Sequence, residues 1–291
     1  MKELRGKVAV ITGAASGIGA AIARECADRG MRVVLADLDD AGIDQLAAEL
    51  GAKGAAAMAV PTDVTSKASV EALASTTVEH FGGAHLLCNN AGIGGGGLSW
   101  ETSRREWNDV MDVDFWGVLN GIEAFVPLMI RQDEPAHVVN TSSMAGVVTG
   151  AGMAAYRTAK FAVVALSETL FHDLDVVGAP IGVTVLCPGW VNTSIGLNAA
   201  EPGQRSAASA RIDAALESVV LSEGIDAVVV ASSVLDAVVA GQLYLFTHPQ
   251  WSKAITRRAE NMVAGVNPRL DPIGTAVKSS LAADGIHSVP E

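Results

Sequence analysis

Thr12-Gly13-Ala14-Ala15-Ser16-Gly17-Ile18-Gly19 follows an apolar run at residues 7–12 and opens a stretch of helical periodicity at 17–29. A strand that ends in glycines and turns directly into a helix leaves unblocked backbone amides at the helix start. Outward from this turn, short apolar runs rich in valine and leucine recur at 32–36, 55–60, 85–89, 137–142, 182–187 and 242–247. Helical patterns lie between them at 40–50, 66–81, 103–131, 154–177 and 224–239. Runs that are apolar throughout are strands buried on both faces, and their alternation with helices calls for right-handed crossovers. The expectation is an α/β fold: a single-domain doubly wound parallel sheet with helices on both faces, spanning residues 1–250.

Composition agrees and removes several function classes. A chain of 291 residues can bury one large core. With 49% apolar residues but only 4% aromatic, it suits helices packed closely on a parallel sheet rather than an aromatic-rich sandwich. A net charge of −12 argues against nucleic acid or an anionic membrane as partner. Cys26, Cys88 and Cys187 show no paired spacing and no metal-type clustering with histidine, so buried reduced thiols and no metal site are expected. The first ten residues lack a signal-peptide core, and the apolar segment at 227–240 is too short to span a bilayer and carries Asp236. A cytoplasmic protein with no membrane partner is the expectation. Residues 198–221 have weak periodicity and read as a substrate lid, the glycine run Gly94-Gly95-Gly96-Gly97 as a mobile loop, and 251–291 as a C-terminal extension able to pack on a neighbouring subunit.

The first strand-to-helix turn, with Gly13, Ser16, Gly17, Ile18 and Gly19, is where a backbone can approach a pyrophosphate and offer it free amides. Asp37, at the end of the next strand, is placed to accept hydrogen bonds from both hydroxyls of an adenosine ribose. Its charge would repel a 2′-phosphate, and the neighbours Ala15 and Leu38 are uncharged, so the cofactor expected is NAD rather than NADP. Asp39 is the better cap for the following helix. Asp63 and Val64 are placed to meet the adenine, and Asn90, Ala91 and Gly92 close the fourth strand beside the cofactor ribose, with the Asn90 amide able to tie neighbouring strands.

Tyr156 and Lys160 stand at i, i+4 and project from one helix face, with Ser143 thirteen residues before the tyrosine at a strand end. An ammonium close to a phenol favours the phenolate, which ordinarily forms near pH ~10. The lowered phenol would act as general base in alcohol oxidation and as acid in ketone reduction. Ser143 would bond the substrate oxygen and steady developing charge.

Over roughly its first 250 residues the chain resembles the short-chain dehydrogenase/reductase family. The resemblance rests on residues 12–19, Asp63, Asn89-Asn90-Ala91-Gly92, Ser143, Tyr156 with Lys160, and Pro188-Gly189-Trp190-Val191-Asn192-Thr193. It implies a Rossmann-type sheet in which Lys160 also holds the nicotinamide ribose. Pro188 and Gly189 shape the turn beside the cofactor, and Val191 and Thr193 contact the carboxamide. One position departs: Asp114 stands where the family usually has an asparagine that helps hold a water in a relay to the lysine. The family pattern places Ile93, the glycine run, Met144, Val147, Met153 and Trp190 around the substrate, an apolar set suited to a hydrophobic secondary alcohol or ketone. Trp100, Trp107, Trp116 and Trp251 are expected in the core or at an interface. The apolar faces at 103–131 and 154–177 can each pack against a copy of themselves, and the resemblance implies a homodimer or homotetramer. The reading is an NAD-dependent oxidoreductase acting on CH–OH groups; the alternative is a non-catalytic NAD-binding regulatory or scaffolding protein on the same fold.

Overall fold

The computed structural model describes residues 1–193, 195 and 206–284. Seven strands form one sheet: β1 (Val8–Thr12), β2 (Arg32–Asp37), β3 (Ala57–Pro61), β4 (Leu86–Asn89), β5 (Ala136–Thr141), β6 (Ile181–Cys187) and β7 (Tyr244–Phe246). Their order is 3-2-1-4-5-6-7, and every pair is parallel. The helices are α1 (Gly17–Asp28), α2 (Asp40–Ala52), α3 (Lys67–Phe81), α4 (Arg104–Met111), α5 (Gly117–Gln132), α6 (Ala154–Val176), α7 (Ala207–Glu223), α8 (Ala227–Ala240), α9 (Ser252–Ala264) and α10 (Pro272–Ala283).

Each strand feeds two cores because alternate side chains point to opposite faces. Ala9, Ile11, Val33 and Leu35 pack with α1, α2 and α8. Val8, Val10, Val34 and Ala36 pack with α3, α5 and α6 on the other face. Small residues let α1 and α8 lie close together: Ala20, Ala21 and Ala23 meet Val230, Ala231 and Val234, all buried. The fold read from the apolar runs is thus the observed one. Going out from β1, the chain runs one way to β2 and the other way to β4, so a crevice opens at their carboxyl ends.

Elsewhere the structure adds detail that the sequence reading did not carry. The stretch 103–131, expected as one helix, does run as one helix from Arg104 to Gln132, with a π-turn at Asp112–Trp116 between α4 and α5. Within the expected lid, residues 198–205 lie outside the described residues. The remainder belongs to a regular helix, α7, whose cap Ser206 accepts from the Ser209 amide. Ser209 and Ile212 are its buried residues, too few to print an apolar stripe. In the C-terminal extension α10 packs on α7 of the same chain, where Arg211 bonds Ser280 (2.6 Å) and pairs with Asp284. Trp100 and Trp116 are 76% and 47% exposed, so neither is a core residue. The run Arg104–Gln132 is long and apolar enough to cross a membrane by length and composition. It buries Val118, Ile122, Phe125 and Met129 against the sheet.

Candidate active site

The crevice at the sheet's carboxyl edge holds a cleft of about 550 Å³. Of the residues expected to bind the cofactor, Gly13, Ser16, Gly17, Ile18, Asp37, Leu38, Asp63, Val64, Asn90, Ala91, Gly92, Tyr156, Lys160, Pro188 and Thr193 line it. Gly19, Gly189 and Val191 stand behind this lining. A Cβ on Gly19 would lie 2.0 Å from the Gly13 carbonyl oxygen, and one on Gly189 would lie 2.5 Å from His248 Nδ1. Val191 is buried and pairs its backbone with Ile225.

The geometry of the glycine turn follows from its sequence. Gly13 and Gly17 have φ of +66° and +52°, a region side chains disfavour, and a Cβ on Gly13 would meet the Ala91 Cα at 2.8 Å. The first turn of α1 carries no acidic residue, so its amides face the cleft with their positive dipole uncompensated. Asp37 supports this turn: Oδ2 accepts from the Ala15 amide (3.0 Å) and Oδ1 from the Asp39 amide (3.1 Å). The cap of α2 is Asp39, whose Oδ1 accepts from the Gly42 amide, as expected. Asn90 does tie strands together. Its Nδ2 donates to the Thr12 carbonyl (3.2 Å), while its Oδ1 accepts from Thr141 Oγ1 (3.3 Å).

The residues at the other end of the cleft are set by the start of α6. Met153, just before it, has φ +59°, a strained value for a residue with a side chain. Its amide donates to the Gly97 carbonyl (3.2 Å), and its own carbonyl accepts from Arg157 (2.8 Å). One turn later, Ser142 Oγ donates to the Lys160 carbonyl (2.8 Å), fixing α6 against the end of β5. Ser143, Tyr156 and Lys160 are thereby brought together. Ser143 lies near enough to the Tyr156 phenol to favour its ionised form, and Lys160 Nζ lies 5.5 Å from the Tyr156 ring centre. Ser143 Oγ also accepts from the Ala145 amide (3.0 Å).

Lys160 is 2% exposed and Asp114, in the π-turn, is 0% exposed. Asp114 meets the lysine directly, with Oδ2 3.3 Å from Nζ, while its Oδ1 accepts from the Ile93 amide (2.8 Å). Lys160 also donates to the Thr141 carbonyl (3.1 Å). A buried charge costs several kcal/mol unless paired, and this contact supplies the pairing. Burial presses Lys160 down, but Asp114 and Tyr156 outweigh it and hold the ammonium above its ordinary value. Burial pushes the Asp114 carboxyl up against the pull of Lys160. The Tyr156 phenol departs from expectation. Burial pushes it above its ordinary value, Asp114 adds to the rise, and Lys160 opposes it without prevailing. The sequence reading counted the ammonium but not the dry surroundings.

The expected substrate walls divide. Ile93 and Met153 pack in the cluster around Tyr156, together with Trp107, Met111, Phe115 and Ile195, which the reading missed. Met144 and Val147 belong to another cluster with Val185, Cys187 and Phe246, and Trp190 lies edge-on to Trp251 at 5.7 Å. Asp39, Thr62, Val113, Thr141 and Ser142 also line the cleft without having been foreseen there. Most are direct sequence neighbours of residues that were, which is the signal that was available. The glycine run is tied down: Gly97 N donates to Asp213 Oδ1 (3.0 Å), and Leu98 N to Ser209 Oγ (2.9 Å). Among the described residues no group of histidine, cysteine and carboxylate side chains is arranged to hold a metal.

Comparison with known proteins places this geometry. Residues 7–202 match the family described as short chain dehydrogenase. A CLA biosynthesis dehydrogenase/reductase of Lactiplantibacillus plantarum is 32% identical over 278 residues, covering 92% of this chain and 97% of that one. A 1-deoxy-11-beta-hydroxypentalenate dehydrogenase of Streptomyces avermitilis is 42% identical over 193 residues, 66% of this chain and 71% of the relative. The crystal structure of a short chain dehydrogenase/reductase from Burkholderia phymatum in complex with NAD superposes with a TM-score of 0.90 at 40% identity, covering 94% of this chain and 99% of that one. With the sheet order, the glycine turn and the Ser143, Tyr156 and Lys160 cluster already in place, the conclusion is direct: the chain belongs to the short-chain dehydrogenase family of oxidoreductases.

Proposed function

We propose that the protein is an NAD-dependent dehydrogenase that interconverts a secondary alcohol and a ketone on a hydrophobic small molecule. The observation that carries this reading is that Tyr156 and Lys160 line the cleft together, with Ser143 next to Ser142 of that lining and acting on the Tyr156 phenol. The residues fit a dinucleotide. The glycine turn leaves room for a pyrophosphate where side chains would collide, and Asp37 stands at the adenosine end. Asp39 and Asp63 line that end too, and the cationic residue among the described lining is Lys160, far along the cleft. Three carboxylates there disfavour a 2′-phosphate, which supports NAD, as does the NAD complex of the Burkholderia relative. A bound nicotinamide supplies the hydride acceptor or donor. The chain's own residues do the rest: Ser143 holds the substrate oxygen, Tyr156 takes or gives its proton, and Lys160 keeps that phenol in a charged, ordered setting.

Ile93 and Ile195 line the cleft with apolar side chains, backed by the cluster that holds Trp107, Met111 and Met153. Arg157 is engaged with the Gly152 and Val148 carbonyls, so it is not a substrate anchor. A hydrophobic alcohol fits such a wall better than a phosphate or carboxylate substrate. The Streptomyces relative, named as a hydroxypentalenate dehydrogenase, agrees with a hydroxyl as the reacting group, although the substrate so named also carries a carboxylate. Trp116, Ile130, Phe171 and Val176 leave apolar surface exposed along α5, α6 and the π-turn, where a second copy would dock.

The test is a steady-state panel of cyclic and aromatic secondary alcohols with NAD and NADP side by side. The expected result is turnover on at least one alcohol, with NAD favoured by about 100-fold or more in kcat/KM, since like charges brought together cost several kcal/mol. NADP preference would show Asp37 misread. Tight NAD binding with no turnover across the panel would favour the scaffolding alternative.

A further inference from the structure

Four features converge on Asp114. It is a fully buried carboxylate, it sits in the π-turn rather than in regular helix, it touches the Lys160 ammonium directly, and its second oxygen is fixed by the Ile93 amide. The side chain is held on both oxygens, one by each wall of the site. Apart from the Lys160 contact, Oδ2 has no hydrogen-bond partner, so the ion pair is the whole of its compensation. Lys160 in turn has the Thr141 carbonyl and Asp114 around its ammonium, with the Tyr156 ring beside it.

Charge counting then decides what the phenol can do. With Asp114 ionised and Lys160 protonated, the buried cluster is neutral while Tyr156 keeps its proton. Ionising Tyr156 would leave one net negative charge in a site without water-like screening. With a neutral residue at position 114, the same ionisation would instead turn a net positive cluster into a neutral pair. The other groups facing the phenol do not reverse this. Arg157 on α6 and the Ser143 hydroxyl after β5 favour ionisation weakly, and the buried Cys187 thiol on β6 adds to the forces keeping Lys160 charged.

We propose that Asp114 is a positioning residue that takes up the charge of Lys160 and so holds Tyr156 as a protonated proton donor until a further positive charge enters the site. The inference deepens the dehydrogenase reading and rests on it for its functional meaning: the proton-accepting form needed for alcohol oxidation is reached when that charge arrives or, without it, at raised pH.

The chain has two tyrosines, Tyr156 and Tyr244, so the ionisation can be read directly. Tyr244 bonds Glu168 on the surface, away from the cleft, and Tyr244→Phe gives a background in which phenolate absorbance reports Tyr156 alone. In this cofactor-free background, Asp114→Asn is expected to move the absorbance titration of Tyr156 down by at least about one pH unit. A titration that stays in place or moves up overturns the proposal. If the asparagine variant does not fold by circular dichroism, Asp114→Ser is measured in its place. If neither folds, the carboxylate serves the fold and the proposal fails. Because the reading needs no turnover, it is separable from the dehydrogenase assignment: inactivity on every alcohol would sink that assignment and leave this titration standing.

Discussion

A histidine near the start of β5 shows how much one side chain's surroundings decide. His137 is fully buried and its Nε2 meets Thr184 Oγ1 at 2.8 Å. That hydroxyl donates to the Gln242 carbonyl (2.7 Å), so it must accept from His137, which fixes the proton on Nε2. Nδ1 then faces protein with no partner, and Gly182 leaves just enough room for the ring, since a Cβ there would approach Nδ1 to 2.4 Å. Burial, helped by the amino terminus, pushes His137 down to about 3. The unfolded chain binds a proton near pH ~6.5 where the folded one does not, so stability is lost as pH falls from that value toward 3. For His137 the slope is at most about 1.4 kcal/mol per pH unit. Urea unfolding at a series of pH values should therefore show a shallower acid slope for His137→Gln than for the parent; parallel slopes would contradict the assignment. The sequence marked His137 only as a strand residue, because its protonation depends on Thr184 and Gly182, which are adjacent through the β5–β6 pairing alone.

At the scale of elements, the turn from β1 into α1 is the part that tolerates least. A Cβ on Gly19 would strike the Gly13 carbonyl oxygen and come within 2.7 Å of Asn90 Nδ2. Gly19→Ala is expected to cost about 1–3 kcal/mol by overpacking and to remove the rise in melting temperature that NAD gives the parent. A variant whose melting point still climbs with NAD as the parent's does would contradict that. This turn was legible because glycines, a preceding strand and a following helix all lie within a few residues. The π-turn at Asp112–Trp116 was not: an inserted residue in a helix leaves the apolar spacing nearly unchanged, while it reorients Asp114 toward Lys160. The helix α7 escaped for a different reason. Its partners, Gly97, Leu98, Glu101 and α10, are distant in sequence, and its contacts are largely hydrogen bonds and ion pairs rather than an apolar stripe.

Across the whole molecule, the architecture follows from valine-rich strands that must be covered on both faces and from crossovers of one hand. That much was legible, including the place where the strand order reverses and the cleft opens. The chemistry inside the cleft was legible as a set of residues but not as a balance of charges. Tyr156, Lys160 and Asp114 share one dry corner, and burial, which no spacing reveals, raises the phenol and the carboxyl above their ordinary values. The proposed chemistry needs Tyr156 as the proton-transferring group, and Tyr156→Phe tests it most directly when kinetics and binding are measured together. The variant should still bind NAD, as followed by tryptophan fluorescence, while kcat on the best alcohol of the panel falls by about 100-fold or more. Turnover within a few-fold of the parent, on a substrate the parent accepts, would contradict it.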